Sequence, residues 1–138
     1  MKKLILLIIL CSFSIIASAD NYFYTPQEVV ASTICAEAVG EGDIGLYAVS
    51  NTIANRSKQR DKTPYEVVTQ KNQYFGYTAE NRYELYMQNK QYCDYLAENL
   101  LELDDITNGA LFFRREEEEK KSWHEVFCIK LFNHLFYK

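Results

Sequence analysis

The chain has little of what metal or thiol chemistry needs. Its 138 residues include two histidines and four cysteines, with neither a CxxC pair nor an HExxH helix. Zinc sites draw on such spacings, so no metal site is expected and no cofactor is implied. Proline occurs twice and glycine five times, and no low-complexity linker or second domain can be read from the rest. After residue 19 no apolar run is long enough to span a membrane. Basic residues are in deficit, fifteen against nineteen acidic, for a net charge of −4. That balance argues against nucleic acid or anionic lipid as a partner and leaves a polysaccharide open.

What is present begins with a processing segment. Lys2 and Lys3 precede an apolar stretch over Leu4 to Ile16, and Ala17-Ser18-Ala19 is a small-x-small cleavage site. Residues 1–19 are therefore expected to be a cleaved signal peptide, with residues 20–138 as one exported domain, secreted, periplasmic or in the cell wall, with no stable membrane insertion. The apolar stretch is too short and too interrupted to favour a permanent anchor. Without Lys2 and Lys3, thirteen basic residues face nineteen acidic ones, a net charge of −6. Cys11 leaves with the signal, so Cys35, Cys93 and Cys128 remain, and three cannot all pair within one chain. One disulfide with one buried thiol, or three buried thiols, both fit. A monomer is expected.

Thr25-Pro26-Gln27-Glu28 carries a capping box with proline at the first helical position, which starts a helix running toward Val39. Val30, Ile34 and Glu37 then share one face, so a carboxylate stands on the stripe turned to the core. Burial raises the pKa of such a group and suits it to be a general acid. The glycines that follow, Gly40 and Gly42, also fit a plain C-terminal cap, and Glu37 a solvated rim. Glu41, at or past the helix end, reads as solvated.

A second helix is expected from an Asp43 cap through Leu46, Val49 and Ile53 to Asn55-Arg56, then a charged connector over Lys58 to Lys62. Thr63-Pro64-Tyr65-Glu66 repeats the start signal for a short third helix. Gln70 to Thr78 reads as a loop, and Glu80 to Leu103 as a long helix burying Leu85, Tyr92, Leu96, Leu100 and Leu103. Three β-favouring runs close the chain, Ala110 to Phe113, Glu125 to Ile129 and His134 to Tyr137. Glu116 to Glu119 reads as a solvated loop. The fold class is α+β, mainly helical with a small antiparallel sheet. Eleven tyrosines, eight phenylalanines and one tryptophan lean toward a carbohydrate cleft, since such rings stack on sugars.

Taken together, Glu37-Ala38-Val39-Gly40-Glu41, Gly45, Ala48-Val49-Ser50-Asn51 and Asn55-Arg56 resemble, in order and spacing, the pattern of the SleB/CwlJ-type cell wall hydrolases. Weaker agreement follows at Asn72-Gln73-Tyr74-Phe75, Asn108 to Phe113, Ser122-Trp123 and Asn133 to Tyr137. The resemblance implies a lysozyme-like domain acting on peptidoglycan glycan strands at the β-1,4 bond between N-acetylmuramic acid and N-acetylglucosamine, as a lytic transglycosylase. It places the general acid on Glu37. Glu41 is the candidate second acid, and Gln73, Phe75, Trp123 and His134 are candidates to contact the substrate.

The chain also departs from that pattern. Arg114-Arg115 and the acidic run replace the histidine or tyrosine usual after the first strand, and Phe132 replaces a common glycine. These changes bear on substrate preference. A hydrolytic muramidase of the same fold and a non-catalytic wall-binding module are the alternatives. A Cys-His amidase is disfavoured, with Cys35 read as packing against the second helix.

Overall fold

The computed structural model describes residues 25–138, so the signal peptide expected over residues 1–19 lies outside the described residues. Helix α1 (Pro26–Glu37) starts where the capping box places it. The Glu28 amide donates to Thr25 Oγ1 at 3.1 Å, and the Thr25 amide donates to Glu28 Oε2 at 3.0 Å, which satisfies two otherwise orphaned donors. Gly40 and Gly42 follow at φ +78° and +64°. Only glycine takes that backbone cheaply, and the pair turns the chain sharply into α2.

Helix α2 (Gly42–Arg60) is longer than the sequence suggested. It does not end at Asn55-Arg56; Ser57 to Arg60 hold no helix breaker, and Lys58 and Arg60 in the last turn complement the negative end of the helix dipole. Asp61 stops it at φ +51°. Helix α3 (Pro64–Thr69) repeats the capping box with Thr63 and Glu66. The expected loop over Gln70 to Thr78 contains a 3-10 turn, Phe75–Thr78.

Helix α4 (Arg82–Glu98) starts later and stops earlier than Glu80 to Leu103. Asn99 ends it, its side-chain amide donating to the Tyr95 carbonyl at 2.8 Å, although Leu100 beyond the end is still buried. Asn89 interrupts it with φ −124°.

Strands β1 (Phe112–Arg115), β2 (Phe127–Leu131) and β3 (His134–Tyr137) form an antiparallel sheet in the order β1-β3-β2. The first two begin two residues later than read. Arg114 and Arg115 belong to the sheet, opposite Leu135 and His134. The main core gathers Ile34, Val49, Ile53, Val67, Leu96 and Leu100, each stabilising the fold by about 2 kcal/mol through burial. A second cluster of Ala48, Ala110 and Phe136 fastens the sheet to α2.

Cys35 does not rest as a thiol against α2. It is disulfide-bonded to Cys93, joining the end of α1 to α4, the helix against which α1 packs most extensively. Among the described residues Cys128 is the free thiol, and it is half-buried. No helix among the described residues is long and apolar enough to cross a membrane.

Candidate active site

Helix α1, the loop before α4, the end of α2 and the sheet enclose an open cleft of about 1150 Å³. Glu37, the last residue of α1, lies in its floor. Its Oε1 accepts a hydrogen bond from the Gly76 amide at 2.5 Å. Gly76 has no side chain to keep the two apart; a Cβ there would lie 2.9 Å from both Glu37 Cγ and Glu37 N. Burial pushes the Glu37 carboxyl above the usual carboxylate range, and the nearby Glu118 adds to this, while the Gly76 amide, Arg56 and Arg115 pull the other way. A carboxylic acid that keeps its proton toward neutrality, open to a cleft, can serve as a proton donor.

Arg56 was legible only as part of a motif, and the structure gives it a definite place. It is 4% exposed. Its Nε donates to the Leu111 carbonyl at 2.5 Å and its Nη1 to Gln73 Oε1 at 3.3 Å, and its guanidinium lies 4.7 Å from the Tyr74 ring and 5.0 Å from that of Phe112. One side chain thus ties α2, β1 and the Gln73 loop into one wall beside Glu37. The two asparagines of the same motif are fasteners. Asn51 bonds the Asp104 carbonyl and the Ile106 amide, and Asn55 bonds the Ala110 carbonyl, so both hold the connector that leads into β1.

The expected contact residues divide into two groups. Phe75, 79% exposed, and Trp123, 53% exposed, are cleft-lining rings open enough to stack on a sugar. Gln73 lines it, with its oxygen occupied by Arg56 and by Arg60 at 3.4 Å. His134 lines it but is buried, packed against Phe113 at 5.1 Å between ring centroids. Its Nδ1 has no hydrogen-bond partner among the described residues. Burial lowers the His134 pKa, against a partial pull upward from Glu41.

Glu41 is neither solvated nor part of the lining. It is 5% exposed, and its Oε2 accepts from the Asn133 amide at 3.0 Å, fixing the β2–β3 turn to the start of α2. Gly45 makes this possible, because a Cβ there would meet Glu41 Cβ at 2.2 Å. The acidic run is a solvated loop, as expected. Its side chains are exposed, but Glu118 and Glu119 line the cleft, and the loop is built rather than loose. Glu118 Oε2 accepts from the Arg115 amide at 2.9 Å, and the Arg114 guanidinium donates to the Glu116 and Glu118 carbonyls. His124, stacked on Tyr137 at 4.8 Å, accepts from the Lys121 amide at 3.0 Å and closes the loop.

No group of three histidine, cysteine, aspartate or glutamate side chains among the described residues is placed to hold a metal ion. A protein-family model described as Cell Wall Hydrolase matches residues 40–137. The match begins three residues after Glu37, whose assignment therefore stands on the cleft itself. Two solved structures share the fold. The catalytic domain of the germination-specific lytic transglycosylase SleB from Bacillus anthracis superposes with a TM-score of 0.66 at 20% identity, covering 86% of this chain and 98% of that one. The catalytic domain of the Bacillus cereus SleB protein gives 0.65 at 20% identity, covering 85% and 94%. No curated protein sequence matches.

Proposed function

The chain belongs to the cell wall hydrolase family, and from that premise we propose that it is an exported peptidoglycan-degrading enzyme cleaving the β-1,4 bond between N-acetylmuramic acid and N-acetylglucosamine as a lytic transglycosylase. The observation that carries this reading is Glu37, a carboxyl whose pKa is raised by burial, at the floor of a cleft rimmed by the exposed rings of Phe75 and Trp123. Protonated Glu37 donates to the leaving glycosidic oxygen as the bond to the anomeric carbon breaks. The substrate's own N-acetyl group stabilises the positive charge that develops there. The Glu37 carboxylate then takes the proton from the 6-hydroxyl of the muramyl residue, whose oxygen closes on the anomeric carbon to give a 1,6-anhydro end. Acid and base are the same group, so no nucleophilic carboxylate is needed.

Around it, Phe75 and Trp123 stack on sugar rings and Gln73 offers its amide nitrogen, while His134, buried behind them, backs the wall of the cleft. Glu41 acts through Asn133, which it holds beside His134. Export is supported by the disulfide, a bond kept in oxidising compartments, and by the sequence of residues 1–19.

One observation favours a second reading. Glu118 lies on the sheet side of the same cleft and could activate water, giving hydrolysis and a reducing end. Digestion of purified peptidoglycan followed by mass spectrometry separates the two. Anhydro-muropeptides from the wild type, absent with Glu37→Gln, support transglycosylation; reducing ends support hydrolysis. Cleaved stem peptides on intact glycan refute both, and full activity of Glu37→Gln refutes the assignment of the acid.

A further inference from the structure

Among the described residues, three cations in the cleft of this acidic chain have no carboxylate ion-paired with them, Arg56, Arg60 and Arg114, and two of the three are occupied by the walls they build. Arg60 stands one turn after Arg56 on α2, on the face that lines the cavity. Arg56 is consumed by the wall it builds. Arg60 is only half-buried, and the hydrogen bonds it makes all leave from Nη1, to Gln70 Oε1 at 3.0 Å and Gln73 Oε1 at 3.4 Å. Among the described residues no carboxylate is ion-paired with it. Arg114 is taken up by the Glu116 and Glu118 carbonyls and the Tyr137 hydroxyl, and Arg115 and Lys121 have acidic neighbours of their own at 4.0 and 3.9 Å. Two amide oxygens thus hold the Arg60 fork from one edge and leave the other edge open.

A planar guanidinium presented this way suits a carboxylate bound through two parallel hydrogen bonds. The acidic lip of Glu118 and Glu119 on the sheet side repels an anion and leaves the α2 side as the favourable place for one. Resting on the reading of the cleft as a peptidoglycan site, we propose that Arg60 binds a carboxylate of the stem peptide carried by a muramyl residue. The enzyme then prefers peptide-bearing glycan. The sugar backbone is uncharged where each lactyl group is in amide linkage, so within such a strand the carboxylates sit on the peptide. A bare lactyl carboxylate, as in peptide-stripped glycan, has the same chemistry at a shorter reach.

Binding tests this without turnover. Soluble muropeptide fragments are titrated by calorimetry into the Glu37→Gln chain in three forms: peptide-bearing, the same fragment with its carboxylates converted to carboxamides, and peptide-free with a free lactyl group. The expected result is about tenfold tighter binding of the peptide-bearing form than of its carboxamide twin, the scale of one charge-assisted contact. Arg60→Gln brings the ratio to near one and Arg60→Lys restores part of it, with unchanged thermal melting for both. A ratio that survives Arg60→Gln overturns the proposal, as does an equal preference for the lactyl form or failure of every fragment to bind. Turnover by the wild type is scored separately. Cleavage without the preference sinks this inference alone, and binding preference without cleavage sinks the enzymatic reading alone.

Discussion

Removing the bond between Cys35 and Cys93 tests both the architecture and the integrity of the site. The two cysteines are 58 residues apart in sequence, both are fully buried, and Cys35 precedes Glu37 by two residues. Closing a loop of that length in the unfolded chain costs it entropy that the native state does not feel, about 4 kcal/mol at 25 °C by the chain-entropy relation. A domain of this size has a total stability of about 5–15 kcal/mol, so the cross-link is a large share of it. Replacing both cysteines by alanine is expected to lower the unfolding free energy by about 4 kcal/mol in urea titrations and the melting temperature by about 15 °C. Dithiothreitol should reproduce the loss in the wild type and do nothing further to the double variant. Thiol titration of the unreduced, denatured residues 25–138 should find one reactive group, Cys128. The reasoning fails if the double variant is destabilised by less than about 1 kcal/mol, or if three thiols titrate before reduction.

Two further outcomes follow from the site. Because the folded-state pKa of Glu37 is raised, mainly by burial, the native state holds its proton to higher pH than the unfolded chain. Stability from this group is complete below the ordinary carboxylate pKa and falls as pH rises through the raised value, by about 1.4 kcal/mol per unit of elevation. Glu37→Gln should therefore be more stable than the wild type at pH 8, with the difference gone near pH 4, as urea titrations at the two values will show; an advantage that does not change with pH contradicts it. Gly76→Ala should place a methyl group against Glu37 Cγ and the α1 backbone, destabilising the chain by about 1–3 kcal/mol and lowering kcat on peptidoglycan at least tenfold by displacing the acid. Unchanged stability and rate would show that the Gly76–Glu37 approach is looser than described.

The features legible in the sequence are those set by local chemistry. Two Thr-Pro-x-Glu boxes start α1 and α3 where they were read, because a capping box is complete within four residues. Three β-favouring runs become three paired strands, and Glu37 is half-buried because helical periodicity placed it on the face of Val30 and Ile34. What was misread depends on partners distant in the chain. Glu41 looks solvated at a helix end, and only the Asn133 amide, 92 residues on, makes its burial favourable. Cys35 points to α4 because Cys93 is there. The acidic run is the solvated loop that its composition suggests, and contacts within four residues, from Arg114 and His124, set its course along the cleft.

Phe132 joins these cases. It occupies a left-handed position, φ +51°, with its ring 58% exposed, a conformation that costs a non-glycine residue about 1–2 kcal/mol. The turn tolerates it because the residues on either side are fixed, Leu131 by pairing with His134 and Asn133 by Glu41. Glu41 thus does for the sheet what Arg56 does for β1 and the Gln73 loop. Each is a buried charge projecting from the start or the body of α2 that fastens a distant segment to the helix next to Glu37. The sequence pattern shared by α1 and α2 accordingly encodes Glu37 and the framework around it; under the proposed function, Arg60, Arg115 and Glu118, which line the cleft where the chain leaves that pattern or beyond it, are the groups expected to choose the substrate.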